Sequence, residues 1–470
     1  MADKILLISA NRCTAPDPVF PLGLACVNAS LRQAGYETRW YDCALSGPTL
    51  ESTLAAYRPR YVGISLRNVD DVMIQKRETY FDALSSLCQT VRQVNPCPVI
   101  LGGSGFSIFP GRILETSGAD YGIQGEGESS LPLLLKALEQ GGPLEEVPGL
   151  VYRRDGRVVA NRTRAQALDF RLAAEDRPVE LVAHYLQISG MMNLQTQRGC
   201  AHLCCYCTYP LIEGRAWRRR PPEDIADEMA QLQARGAKYV FVVDSIFNST
   251  PRHVMETCEA IIRRKLSIRW GCYLRPQGLT PELMHLMARA KLAHIEYGSD
   301  SFCDPVLKAY DKRFTFDEVL RSSELAQQVG IDHCHFVICG GPGETRETLW
   351  AGFENSRRLG KAIVMASVGM RVYPHTQLFQ RAVREGSLDA GADLLEPVYY
   401  LAPGLADDEV SGLLQEFARR SPNWIVGDAP PNYARLVERL RRRDVIGPLW
   451  SYLAYAQRLQ APDGSQPAKP

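Results

Sequence analysis

Arg198-Gly199-Cys200-Ala201-His202-Leu203-Cys204-Cys205-Tyr206-Cys207 decides how this chain is read. Cys200, Cys204 and Cys207 are spaced C-x3-C-x2-C. Thiolates hold [4Fe–4S] clusters, normally four to a cluster. Three thiolates this close, with no evident fourth, leave one iron open to another ligand. That suits a cluster that does chemistry rather than one that only carries electrons. A zinc site would want a second C-x2-C or Cys/His pair at ribbon or finger spacing, and none follows downstream. Buried structural cysteines alone do not account for four within eight residues. Cys205 falls outside the spacing, and the sequence assigns it no role.

Strand and helix patterns alternate downstream of this loop. Leu194-Gln195-Thr196-Gln197 is a strand that delivers it. Strands are expected at 239–243, 267–273, 294–297, 333–339 and 368–372, separated by helices at 222–235, 250–264, 281–290, 316–328 and 347–358. The residues that follow the strands are Asp244-Ser245, Gly298-Ser299-Asp300-Ser301, Gly340-Gly341-Pro342-Gly343-Glu344-Thr345 and Tyr373-Pro374. In βα barrels the reactive residues lie at those carboxyl ends.

Residues 1–145 alternate in the same way. Strands are expected at 5–10, 38–41, 61–66, 98–101 and 121–123, with helices at 22–35, about 75–94 and from 128 to about 139. That pattern predicts a doubly wound parallel sheet, which binds ligands at the carboxyl ends of its strands. Those ends carry Asn11, Arg67-Asn68, Gly102-Gly103-Ser104 and Gly125-Glu126-Gly127-Glu128. Residues 146–190 read as a connector with a small hairpin at an Asp155-Gly156 turn. Residues 391–470 show a helix at 407–420, aromatic residues Trp424, Trp450, Tyr452 and Tyr455 that read as core, and a Pro-, Ser- and Lys-rich tail after Gln460 that reads as disordered.

The cysteine triplet resembles the signature of the radical S-adenosylmethionine (SAM) superfamily, where the open iron binds the amino and carboxylate groups of SAM. Tyr206 matches the aromatic that lies near the adenine in that family. Gly340 to Thr345 resembles its G-x-P-G-E-T, whose backbone runs along the adenosine, so Gly340, Pro342 and Gly343 are expected there. Gly298 to Ser301 resembles G-x-E-S, with Asp300 in place of glutamate beside Ser301. Arg371 opens a segment that resembles R-x-Y-P-G-T-x-L, with His375 replacing the glycine. Asp244-Ser245 stands where the family has G-G-E. The resemblance implies a partial (β/α)6 barrel over 191–390, followed by a mostly helical region.

The order of residues 1–145 resembles the cobalamin-binding domain that precedes many radical SAM cores. The matching pieces are Pro21-Leu22-Gly23-Leu24, Tyr41-Asp42, Gly102-Gly103 and Gly125-Glu126-Gly127-Glu128. The D-x-H-x-x-G that ligates cobalt from below in many such domains is missing, and no histidine precedes His184. Without that donor the cobalt should be reduced more readily, because axial ligands tune metal potential. Arg67 is the expected neighbour of the lower face. The strand-end residues named above are the expected cobalamin contacts.

Together these resemblances imply a cobalamin-dependent radical SAM methyltransferase. It would move a methyl from SAM through methylcobalamin to an unactivated carbon or phosphinate of a small-molecule or lipid-like substrate, after hydrogen abstraction by a 5′-deoxyadenosyl radical. A flavodoxin- or ferredoxin-type donor is the expected partner. A non-methylating ring contraction, rearrangement or cyclisation is the alternative on the same cofactors, and a cobalamin or redox sensor is the alternative without turnover. The cysteine-bearing N-terminal domain and basic RNA module of tRNA methylthiolation enzymes are not visible.

Composition agrees with this and adds limits. The 470 residues are 45% hydrophobic and 23% charged with net charge +1, so bulk charge gives no argument for nucleic acid or an acidic membrane. No apolar run is long enough to span a bilayer. Fourteen cysteines scattered through so long a chain point to a reducing cytoplasm rather than a disulfide scaffold. The basic runs at 218–220 and 441–443 read as solvated helix ends.

Overall fold

The computed structural model describes residues 3–13, 17–164, 172–427, 433–450 and 452. These fall into two compact units, one within 1–237, 242–245 and 371–400, the other within 238–241, 246–370 and 401–470.

The first unit is built on β1 (Lys4–Ser9), β2 (Glu37–Asp42), β3 (Tyr61–Ser65), β4 (Val99–Gly102), β5 (Tyr121–Ile123), β6 (Leu150–Arg154) and β7 (Arg157–Ala160). The sheet order is β2-β1-β3-β4-β5-β6-β7. The first five strands are parallel, with Leu7 paired to Trp40 on one side and Gly63 on the other. Five of the six residues of β1 are buried, because helices cover both faces of a parallel sheet. That is why its sequence is an uninterrupted Ile-Leu-Leu-Ile. Chain direction across the sheet reverses between β1 and β3, the kind of switch point where doubly wound sheets open a crevice. The hairpin β6–β7 adds two antiparallel strands to this sheet.

One local expectation is corrected here. The helix expected from about 75 begins at Asp82, since its buried residues Leu84, Leu87, Cys88 and Val91 carry the helical spacing only from there. Residues 66–81 instead form a loop closed by a bridge between Asp70 and Thr79. Helices Leu50–Tyr57, Ser104–Ile108 and Pro110–Ser117 show little period in the sequence because none exceeds eight residues. Helix Val179–Ser189 occupies part of the stretch read as connector. The unit also holds β8 (Met191–Leu194), β9 (Gln197–Arg198) and β10 (Arg218–Arg219).

In the second unit, strands β11 (Tyr239–Val242), β12 (Arg269–Leu274), β13 (Leu292–Asp300), β14 (Asp332–Cys339) and β15 (Ile363–Val368) lie side by side in chain order. Registered pairs from β12 to β15 are parallel. Helices between and after them start on Thr250, Thr280, Thr315 and Thr345, each of which accepts the N–H three residues on. The strand expected at 368–372 ends at Val368, because Gly369 turns the chain at positive φ before β16 (Met370–Arg371). Residue Arg371 of β16 leads back into the first unit, where β17 (Tyr399–Tyr400) lies.

The helix Asp407–Arg420 forms as expected, and β18 (Trp424–Val426) adds to β15 in parallel. Trp424 packs on Phe353 and Phe417 and donates to Ser356 Oγ at 2.9 Å. Trp450 donates to Glu296 Oε1 at 3.0 Å within a cluster of Cys334, Ile363, Ile425, Val437 and Leu449, and Tyr452 packs against it. Tyr455 and the tail after Gln460 lie outside the described residues. Among the described residues no helix is long and apolar enough to cross a membrane.

Candidate active site

The cluster loop is fixed from its backbone outward. Cys200 N–H donates to Gly214 O at 3.0 Å, and Cys207 N–H donates to Cys204 O at 3.1 Å. Gly199 sits at φ +88°, and a Cβ there would run into Ala216 O. Its N–H goes to Glu213 Oε2 at 3.1 Å, and its carbonyl accepts from Ser245 Oγ at 3.0 Å. Cys200 and Cys205 are buried, Cys204, Tyr206 and Cys207 half-buried. None of the fourteen cysteines is in a disulfide. Among the described residues no three His, Cys, Asp or Glu side chains converge as ligands of a single ion. Three cysteines at C-x3-C-x2-C spacing along a loop held by its own backbone are a donor set that fits the cluster.

Asp244 and Ser245 support this loop. Asp244 Oδ1 accepts from Thr196 N–H at 2.7 Å and Gln197 N–H at 3.2 Å, and Oδ2 accepts from Thr196 Oγ1. Burial pushes the Asp244 carboxyl up to about 7, although these three donors oppose the shift. The side chain is fully buried and occupied by its own chain.

The basic run at 218–220 is not a solvated helix end. Arg218 and Arg219 form strand β10 against β9, and Arg220 is buried with Glu228 Oε2 2.7 Å away. Glu228 also lies 2.5 Å from the buried Arg177. Burial alone would raise the Glu228 carboxyl, but the two arginines outweigh it and hold it below its ordinary range. The run at 441–443 does close a helix, where Arg442 pairs with Glu438 in solvent.

The strand ends expected to meet cobalamin all lie at one edge of the first sheet. Gly103 follows β4 at φ +98°, where a Cβ would run into Leu66 O, so the loop after β4 can lie against the loop after β3 only as glycine. Ser104 Oγ then holds Arg67 O at 2.6 Å. Asn11 Oδ1 accepts from Cys13 N–H at 3.1 Å, and Asn68 is exposed. Arg67 Nε and Asp71 Oδ2 are buried with no hydrogen-bond partner among the described residues. Buried polar atoms left this way imply a missing partner. The rim of cobalamin, with amides that donate and accept, fits both. Gly125 N–H donates to Ser107 Oγ at 2.9 Å, while Glu126 and Glu128 turn to Arg218 and Arg198.

Arg371 is also committed within the first unit. Its Nε donates to Asp70 Oδ2 at 2.8 Å, and Nη2 to Leu394 O at 2.8 Å. The guanidinium lies over the Tyr373 ring at 4.7 Å. His375 takes the place of the family's glycine at φ +62°.

In the second unit, Asp300 ends β13 and accepts from Lys312 Nζ at 2.5 Å, both nearly fully buried. Ser301 Oγ accepts from Cys303 N–H at 3.2 Å. After β14, Glu344 Oε2 accepts from Gly340 N–H at 2.5 Å and from Tyr310 OH at 3.3 Å, and Tyr310 OH accepts from Gly341 N–H at 3.1 Å. Burial raises the Glu344 carboxyl to about 7. The loop Gly340 to Glu344, with Pro342 and Gly343 at its tip, is thus shaped by a buried carboxyl and a tyrosine.

Sequence reasoning passed over Asp70, Gln195, Arg198, Glu213, Arg218 and Tyr310. Arg198 stood inside the opening stretch, directly before Gly199. Their partners are 70 to 301 positions away in the most distant cases, and no local pattern announces such pairs.

Known proteins share this fold and these two domains. The radical SAM superfamily matches residues 194–354, and the B12 binding domain matches residues 8–135. Over 443 residues the chain is 25% identical to tryptophan 2-C-methyltransferase of Streptomyces laurentii, spanning 80% of this chain and 73% of that one. It is 24% identical over 491 residues to cytidylyl-2-hydroxyethylphosphonate methyltransferase of Streptomyces wedmorensis, spanning 88% and 89%. The fold is similar to that of the radical SAM methyltransferase TsrM from Kitasatospora setae, solved with tryptophan substrate and a SAM analogue, at TM-score 0.85, 22% identity and coverage of 97% and 99%. The chain belongs to the radical SAM superfamily and, within it, to the enzymes that carry a B12 binding domain ahead of the radical SAM core.

Proposed function

We propose that this chain is a methyltransferase that moves a methyl group from SAM to a carbon, or a phosphinate, of a small-molecule substrate. The observation that carries the reading is the two domains in one chain, with likeness to two methyltransferases along most of its length. When bound, cobalamin would supply the methyl carrier, and the cluster with SAM would supply the radical. The protein's part is placement.

Cys200, Cys204 and Cys207 would hold the cluster, and Tyr206 would lie beside SAM. Arg67 would face the lower side of cobalamin, since no histidine precedes His184 to supply an imidazole. Gly102, Gly103 and Ser104 would let the backbone approach the corrin. Gly340, Pro342 and Gly343, with Asp300 and Ser301, are the candidate SAM contacts of the second unit. Asp244, Ser245 and Arg371 act one step back, by holding the cluster loop and the loop at 66–81. A flavodoxin- or ferredoxin-type donor would reduce the cluster in a reducing compartment.

The test follows the methyl group in cells fed methyl-deuterated methionine, with the active chain or its Cys200→Ala variant. A metabolite that gains one labelled methyl only with the active chain is expected. A new metabolite with no labelled methyl would favour ring contraction or cyclisation, and no difference would contradict an enzymatic role.

A further inference from the structure

Two ion pairs join the segment after β5 to β9, which enters the cluster loop, and to its partner strand β10. Arg198 Nη2 lies 2.6 Å from Glu128 Oε1. Arg218 grips Glu126 through both terminal nitrogens, at 2.7 and 2.5 Å. Glu126 Oε1 is also 3.6 Å from Arg198 Nη1, so one carboxylate lies between two guanidiniums. All four side chains are at most 17% exposed.

Each end of this bridge is itself fixed. Arg198 Nε donates to Gln195 Oε1 at 2.9 Å, and Gln195 Nε2 donates to Glu213 Oε1 at 2.8 Å. Glu213 holds the Gly199 N–H one bond further along, and Arg218 Nη2 donates to Glu213 O at 2.6 Å. On the other side, the Gly125 N–H is anchored on Ser107. Removing one partner of a buried ion pair strands a charge, so neither segment can move without the other. A group that orders one segment therefore orders the other, and such coupling is reciprocal.

We propose that Arg198 and Arg218 are positioning residues that couple cobalamin occupancy to cluster occupancy, which rests on reading residues 125–128 as part of the cobalamin site. Cobalamin held against the loop after β5 fixes Glu126 and Glu128. These fix Arg198, and Arg198 fixes the peptide that carries Cys200. The cluster, once built, sends the same constraint back.

Hydroxocobalamin is titrated anaerobically into the full-length protein with and without a reconstituted cluster. In a companion measurement, the rate at which a chelator strips iron is followed with and without hydroxocobalamin. Cluster-loaded protein is expected to bind hydroxocobalamin roughly 5- to 150-fold more tightly, and bound hydroxocobalamin to slow stripping. Arg198→Gln and Arg218→Gln should bring both ratios towards one while each variant still loads both groups at saturation. Equal affinities in the unaltered protein, which need no variant to measure, would overturn the coupling. So would ratios that survive both substitutions. Absence of any hydroxocobalamin binding would instead remove the underlying cobalamin reading.

Discussion

Arg371 Nε lies 2.8 Å from Asp70 Oδ2, and the two side chains are 1% and 0% exposed. The residues are 301 positions apart. Asp70 belongs to the loop that begins with Arg67 and Asn68, so the pair fixes the backbone next to the expected lower face of cobalamin. Arg371 resembles a SAM-contact arginine by motif, yet its guanidinium is used up on Asp70, two carbonyls and the face of Tyr373.

Breaking that pair should be costly. Arg371→Ala leaves the Asp70 carboxylate buried and unpaired, at about 3–5 kcal/mol. Arg371→Met with Asp70→Leu removes both charges and should recover most of the loss. Urea denaturation of the three proteins checks this, and similar midpoints for Arg371→Ala and the unaltered protein would contradict it.

Alanine at Cys200, Cys204 or Cys207 should abolish the cluster's visible absorbance and cleavage of SAM, whereas Cys205→Ala should keep a full complement of iron and sulfide. Iron analysis after anaerobic reconstitution separates the four variants. A full cluster in any of the Cys200, Cys204 or Cys207 variants would refute the ligand assignment.

Gly103→Ala places a Cβ against Leu66 O at a backbone angle of φ +98°. The loop after β4 must then withdraw from the loop after β3. Hydroxocobalamin affinity should fall at least about tenfold, a cost of about 1.4 kcal/mol, while the cluster still loads. In the unaltered protein, the Co(II) electron paramagnetic resonance signal should lack nitrogen splitting, since no histidine precedes His184. Splitting from an axial nitrogen would contradict that account of the lower face.

How much could be read in advance depended on the range of the cause. β1 announced itself because burial on both faces demands an unbroken apolar run. The Gly340 to Thr345 loop was visible because the hydrogen bond from Gly340 to Glu344 stays within it. The cysteine loop was legible for the same reason. What holds that loop was not, because Arg198 and Glu128 or Asp244 and Thr196 meet only through the fold. Arg218 shows the same limit: a basic run looks solvated in the sequence, and only the fold brings the distant Glu126 beside it.

Glu296 gives the second unit a pH signature. Burial raises its carboxyl from 4.5 to about 7, partly opposed by the Trp450 hydrogen bond. The folded protein therefore binds this proton more tightly than the unfolded chain. Its stabilising effect is complete below about 4.5 and is lost as pH rises towards 7. Glu296→Gln keeps an oxygen for Trp450 and removes the titration. Melting temperatures taken from pH 5 to pH 7 should fall less in this variant, with a difference on the order of 3 kcal/mol at neutral pH. Parallel pH profiles would contradict the prediction.

The most direct check on the central claim is the yield of S-adenosylhomocysteine. Full-length protein with a reconstituted, reduced cluster is incubated with SAM, with and without hydroxocobalamin. S-adenosylhomocysteine is expected only when hydroxocobalamin is present, with yield falling sharply in Gly103→Ala. Equal yields with and without hydroxocobalamin, or none under either condition, would contradict it.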